Sequence, residues 1–293
     1  MAKERDRGRP PRPSEPPAAS GKFVIEKRVG LDSERDTERM ELEPKPPTAR
    51  ARFAAKSKAT SAVVSLERAL KAKTPAARAR HARAGLVAIC DVETQGLLLR
   101  QLYLGELEGG NYARAREVAE QLVSLDVLPD VARHDAARAC QALGALDDAI
   151  AHLRKAVQVA PEPRRVFHLS TLGSLLYVSG RAIEACTALQ QALQGPGAAL
   201  PLLRGQLALA QHASGEDGEL DLAYHELQHD RSGEGYGRFV LGELAIARGD
   251  RRAAQVYLEA FLAKVRRSRP AAKAALAPEV ARATETLAKL VWN

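Results

Sequence analysis

Leu172-Gly173-Ser174-Leu175-Leu176-Tyr177-Val178-Ser179-Gly180-Arg181-Ala182-Ile183-Glu184-Ala185 and Leu241-Gly242-Glu243-Leu244-Ala245-Ile246-Ala247-Arg248-Gly249-Asp250-Arg251-Arg252-Ala253-Ala254 are two versions of one phrase. In each, a Leu-Gly pair opens an apolar run, a second glycine follows, and an alanine stands five residues beyond it. The glycine-alanine pair recurs as Gly110 with Ala115, Gly144 with Ala149 and Gly218 with Ala223, giving glycine spacings of 34, 36, 38 and 31. A period of this size, with apolar residues at helical spacing, marks a stacked-repeat architecture. The glycine ends one helix, because the turn between antiparallel helices needs positive φ. The alanine lets the second helix approach the first. The residue nine after each glycine (Ala119, Leu153, Leu189, Leu227 or Leu258) is expected to face the neighbouring hairpin. Pro129, Pro161, Pro196 and Pro270 fall where a new unit would begin, since proline suits the start of a helix and not its interior. One hairpin cannot cover its own apolar face, so neighbours must stack.

Composition agrees. Hydrophobic residues make up 45% of the 293, but aromatics only 4%. A sandwich or barrel needs more β-branched and aromatic residues than this. Small side chains favour close helix packing instead. No apolar run approaches the ~18 residues of a membrane span. Met1-Ala2-Lys3-Glu4-Arg5-Asp6-Arg7 lacks the apolar core of a secretory signal, so a cytoplasmic protein is expected. Cys90, Cys140 and Cys186 are odd in number and far apart, and are expected to be buried core thiols.

Four segments are expected. Residues 1–48, rich in proline and charge, read as a disordered tail that cannot bury enough apolar surface to offset its ordering entropy. Phe23-Val24-Ile25 is its one apolar island, either incidental or a linear docking peptide that lies in the protein's own groove. Residues 49–94 read as a basic helical pair, with Ala59, Val63, Leu66 and Leu70 as the packing stripe of its first helix. Residues 95–268 hold about five repeats, and 269–293 a capping helix that Pro278 could break.

The repeats resemble the tetratricopeptide repeat family in degenerate form. Leu172-Gly173 with Gly180 and Ala185 carries the resemblance, as do Leu241-Gly242-Glu243-Leu244 with Gly249 and Ala254, and Ala149 through Ala156 to Pro161. It covers roughly 96–265. Arg133 and Arg238 stand where an aromatic is usual, and the fourth unit is lengthened around Ser214-Gly215-Glu216-Asp217. The resemblance implies an all-α helical-hairpin solenoid. Its first helices would line a concave groove that holds a peptide or helix of a protein partner. By position that groove would comprise Arg100, His134, Arg138, Gln141, Phe167, Ser174, Tyr177, Tyr236, Phe239 and Glu243. The asparagines of the family's carboxylate clamp are missing, so chaperone-tail binding is not implied. The function expected is a non-catalytic adaptor or scaffold without a cofactor, whose tail could engage a second partner.

Two other readings compete. The formal net charge is +8, and residues 51–85 alone carry a net +8, the flanking segments nearly cancelling. Arg50, Arg52, Lys56, Lys58, Arg68, Lys71, Lys73, Arg78, Arg80 and Arg83 could meet nucleic acid or another polyanion. The plain alternative is a solvated cationic face. Lys264, Arg266, Arg267 and Arg269 form a smaller cluster open to the same two readings. His225-Glu226-Leu227-Gln228-His229 matches the zinc-hydrolase pattern H-E-x-x-H, with Glu234 or Glu243 as a third ligand. Against it, Leu220, Ala223, Tyr224 and Leu227 already form a packing stripe, and Asp230 follows at once. A polar helix face is the preferred reading there. No Walker A loop, G-x-G-x-x-G or G-x-S-x-G motif occurs.

Overall fold

Through the repeats each helix packs against the next, so the fold grows by addition of hairpins. The structure is a computed structural model that describes residues 61–196 and 200–292, and the account below concerns those residues. They form an all-α solenoid with no strand among them. Helix α1 (61–71) and α2 (Pro75–Leu86) precede five hairpins. These are α3 (Val92–Glu108) with α4 (Tyr112–Leu125), α5 (Pro129–Ala142) with α6 (Leu146–Val159), and α7 (Glu162–Val178) with α8 (Ala182–Leu193). They continue as α9 (Leu200–Ser214) with α10 (Leu220–Gln228), and α11 (Gly237–Ala247) with α12 (Arg251–Arg266). Two more helices, α13 (Pro270–Ala275) and α14 (Ala277–Trp292), end the chain.

The hairpin turns share one hydrogen-bond pattern. In α7–α8, Arg181 N–H donates to the Leu176 carbonyl at 2.9 Å and Gly180 N–H to the Tyr177 carbonyl at 3.0 Å. The same crossed pair closes the other four turns, for example Asp250 to Ala245 at 2.8 Å with Gly249 to Ile246 at 3.0 Å. This is the Schellman arrangement, which satisfies the free carbonyls of a helix end and requires a left-handed residue. Gly180 supplies it at φ 76°. In the fourth hairpin the residue is Gly215, at φ 84°, and not Gly218. The extra residues around Ser214-Gly215-Glu216-Asp217 lengthen the turn after that glycine, so the periodic glycine is displaced from the turn it was expected to make. Gly218 instead lies against the Ala208 backbone.

The residue nine beyond the turn also packs within its own hairpin. A Cβ placed on Gly173 would stand 2.5 Å from Leu189 Cγ, and one on Gly242 would stand 2.5 Å from Leu258 Cδ2. Leucine of the second helix therefore fills the space opened by glycine in the first helix of the same hairpin. Leu189 and Leu258 are both fully buried. The Leu-Gly pair of the repeat is thus one half of a lock within a hairpin.

Prolines open helices as expected: Pro129 starts α5, Pro161 caps α7 and Pro270 starts α13. Pro278 falls in the first turn of α14, where its missing N–H is no loss, so it starts that helix and does not break it. In α1 the buried residues are Ala62 and Ala69, while Val63 and Leu70 are exposed. The stripe is rotated from the one expected because small residues face inward: Ser65 Cβ lies close to Gly85 of α2. Cys140 and Cys186 are buried thiols, but Cys90 is half-buried between α2 and α3. Residues 1–48 and Ala59 lie outside the described residues.

Gly173→Ala and Gly242→Ala should each destabilise by about 1–3 kcal/mol, the usual cost of overpacking a core. Urea unfolding followed by circular dichroism checks this. Truncating the paired leucine in the same chain, as in Gly173→Ala with Leu189→Val, should recover part of the loss.

Candidate functional site

The C-terminal residues do more than cap the stack. Helix α13 packs on α3 and α5, and α14 on α5, α7 and α12. Together they run across the face made by the first helices of the hairpins. Ala274 is buried with α2–α5 residues, and Ala283 with those of α9–α12. The Tyr112 hydroxyl donates to the Pro270 carbonyl at 3.4 Å.

Polar contacts anchor α14. Arg282 Nε donates to Glu243 Oε2 at 2.6 Å, and the Tyr177 hydroxyl donates to the same oxygen at 2.9 Å. The Arg282 guanidinium also lies 4.5 Å from the centre of the Tyr177 ring. Glu243 is buried, so removal of Arg282 would leave an uncompensated charge. Burial and the Glu243 carboxylate beside it push the Tyr177 phenol well above its ordinary range.

One turn earlier, a directed chain of hydrogen bonds ends on α14. Ser170 donates to Gln206 Oε1 at 3.3 Å, and Gln206 donates to the Tyr236 hydroxyl at 3.2 Å. Tyr236 and Ser174 hydroxyls are 2.5 Å apart, and Ser174 donates to Glu279 Oε1 at 3.1 Å. Ser174 has one proton, which Glu279 takes, so Tyr236 is the donor to Ser174. Glu279 is only 4% exposed and its Oε2 has no partner. Burial pushes its carboxyl up from an ordinary 4.5 to about 7, against the Ser174 hydrogen bond.

Between these helices lies a cavity of about 470 Å³. His134, Arg138 and Gln141 come to it from α5, Phe167 and Thr171 from α7, and Leu202 and Leu203 from α9. Leu276 and Glu279 close its far side. The His134 ring packs 5.0 Å from Phe167 and 5.3 Å from His168. Burial and the Arg138 charge push His134 down to about 3, so it is neutral near pH 7. Behind it, Asp130 accepts from both Arg164 (2.6 and 2.9 Å) and His168 (3.1 Å). Burial works to raise that carboxyl, but the Arg164 and His168 hydrogen bonds outweigh it and hold it low.

Six of the ten residues expected on the groove line this cavity: His134, Arg138, Gln141, Phe167, Ser174 and Tyr236. Tyr177 and Glu243 lie under α14, held by Arg282. Arg100 turns to Asp135 of α5 at 3.4 Å. Phe239 is 1% exposed and packs on Phe261 of α12, so it faces the core and not the groove. The reason is that α11 is short and apolar on nearly every side, so most of it is buried. The α9 contribution, and that of α14, went unread. Gln206 carries no aromatic signal, and the residues of α14 look like any amphipathic end helix.

The other candidates are placed as follows. His229 is the C-cap of α10, one residue past the helix, and its Nδ1 donates to the His225 carbonyl at 2.8 Å. The Glu226 carboxylate accepts two bonds from Arg204, at 2.8 and 3.0 Å. Glu243, offered as a third ligand, belongs to Arg282. No group of three metal-ligating side chains is present among the described residues. In the basic segment, Arg50, Arg52, Lys56 and Lys58 lie outside those residues, and Arg83 pairs with buried Glu106. No described helix is long and apolar enough to cross a membrane.

No protein-family model matches the chain, and no curated protein matches it in sequence.

Glu279 sets a pH dependence of stability. Between about 4.5 and 7 the folded protein keeps a proton that the unfolded chain has released, so stability falls as pH rises through that window. His134 acts oppositely: stability falls as pH drops from about 6.5 towards 3, because the unfolded chain binds the proton. Melting temperatures of wild type and Glu279→Gln should therefore diverge with pH. The variant gains on wild type from about pH 4.5 to about pH 7. Arg282→Ala should speed amide exchange in α14 while leaving α3–α6 protected, which hydrogen-exchange mass spectrometry reads directly.

Proposed function

We propose that the chain is a tetratricopeptide-like, non-catalytic adaptor or scaffold of the cytoplasm that holds a protein partner on the first-helix face of its solenoid. The observation that supports this is the placement of Phe167. It is 55% exposed at the rim of the cavity, beside Arg138 and Thr171. An exposed aromatic next to an arginine and a recess is the usual composition of an interaction hot spot. The partner segment would enter at the rim of the cavity, over the exposed Phe167 ring. It would end against α14, or would displace it and gain Tyr177, Tyr236 and Glu243.

The test is affinity capture with the full chain, followed by titration of what is captured. Phe167→Ala should weaken the complex by at least about tenfold, or ~1.4 kcal/mol. Ile183→Ala, on the outer face of α8 and 73% exposed, should leave it unchanged. Equal loss from both variants, or from neither, would remove the first-helix face as the site.

A further inference from the structure

The cavity beneath α14 has a feature that neither packing nor peptide docking requires. Its two sides are treated unequally. On the α7–α9 side the polar groups pair in the chain from Ser170 to Glu279 Oε1, leaving Glu279 Oε2 without a partner. On the α5 side, the Gln141 and His134 side chains make no hydrogen bond among the described residues, and their polar atoms keep access to the hollow they line. Donors and acceptors left open in a recess are the groups that fix the orientation of a small ligand. Both stand on the α5 wall, two turns apart, facing a hollow whose apolar lining includes Phe167, Val166, Leu202, Leu203 and Leu276.

We propose that this hollow binds a small uncharged organic molecule with a flat apolar body and an amide-type hydrogen-bonding edge. The lining selects the class. The Gln141 amide and a neutral imidazole each offer a donor and an acceptor, which is the complement of a carboxamide, lactam or pyrimidinedione edge. Among the lining residues Arg138 is the one arginine or lysine and Glu279 the one carboxyl, so the lining as a whole favours neither an anion nor a cation. The Phe167 and His134 rings, 5.0 Å apart, make an aromatic wall for a flat ring. The volume of about 470 Å³ lies in the range of ligand sites, roughly 300–1,000 Å³.

The site is shared between the solenoid and the C-terminal helices, since Leu276 and Glu279 belong to its wall. A bound molecule bridges α5 to α14 and so holds α14 in place. The site stands whether or not the first-helix face takes a protein partner.

The test uses the full chain and six fragments observed by ligand NMR. Nicotinamide, benzamide and uracil carry the amide edge; benzoate, benzylamine and toluene lack it. The first three should bind at least about tenfold better than the last three, because a site built for hydrogen bonds rejects analogues that cannot make them. Gln141→Leu should weaken that binding by at least about tenfold. Leu276→Trp, which fills the hollow, should abolish it, and Ile183→Ala should leave it intact. Bound nicotinamide should slow amide exchange in α14. Absence of binding by all three amides, equal binding of all six, or binding that survives both cavity variants would each overturn the proposal. Higher melting temperatures for Gln141→Leu and Leu276→Trp without any ligand response would show a water-filled void. The fragment series on wild type decides the chemistry even if a variant fails to fold.

Discussion

A helix faced with alanine and leucine can hide only part of its apolar surface against one partner, and this constraint organises the whole chain. Within each hairpin the approach is made close by glycine: Gly173 receives Leu189, and Gly242 receives Leu258. The crossed hydrogen bonds at Gly180 and Gly249 then fix the angle at which the second helix returns. What the hairpin leaves uncovered is covered by the next one, so buried residues form three clusters along the stack. The last hairpin has no successor. Its open surface, and the first-helix face behind it, are met by α13 and α14.

That closing contact is made in a different chemistry from the stack. Between successive hairpins the buried groups are mostly aliphatic. Between the stack and α14 they include Glu243, Arg282, Tyr177, Ser174, Tyr236 and Glu279. Hydrogen-bonded groups of this kind fix one register, because a helix shifted by one turn would strand a buried charge. They also leave the contact sensitive to ionisation, since Glu279 titrates near neutral pH. Apolar packing alone would do neither.

The repeat architecture was legible in the sequence because its signals are local. Glycine at a turn, alanine five residues on and proline at a helix start act within a few residues. The breaks in register were legible only in part. The longer turn after Gly215 is visible as an insertion, yet periodicity points to Gly218, while the left-handed residue of the turn is Gly215. The inward rotation of α1 was hidden because Ala62 and Ala69 carry less hydrophobic weight than Val63 and Leu70. For the site, six of the ten groove positions line the cavity, since they follow the repeat spacing. Phe239 does not, because its helix is buried on nearly every side. Glu279 and Arg282 could not be found by spacing at all. They act on Ser174 and Tyr177 across 105 residues, and no local pattern encodes such a meeting.

That long separation has a kinetic consequence. A stack of hairpins can form from any point and fray from either end, because each unit needs only its neighbours. Helix α14 cannot join until the α7 and α11–α12 surfaces exist, and closing so long a loop carries an entropic penalty that only a finished surface repays. Docking of α14 therefore follows the formation of those surfaces. While it holds, the end of the chain is tied to its middle, and a linear array that would unzip piecemeal becomes a closed circuit that opens as one.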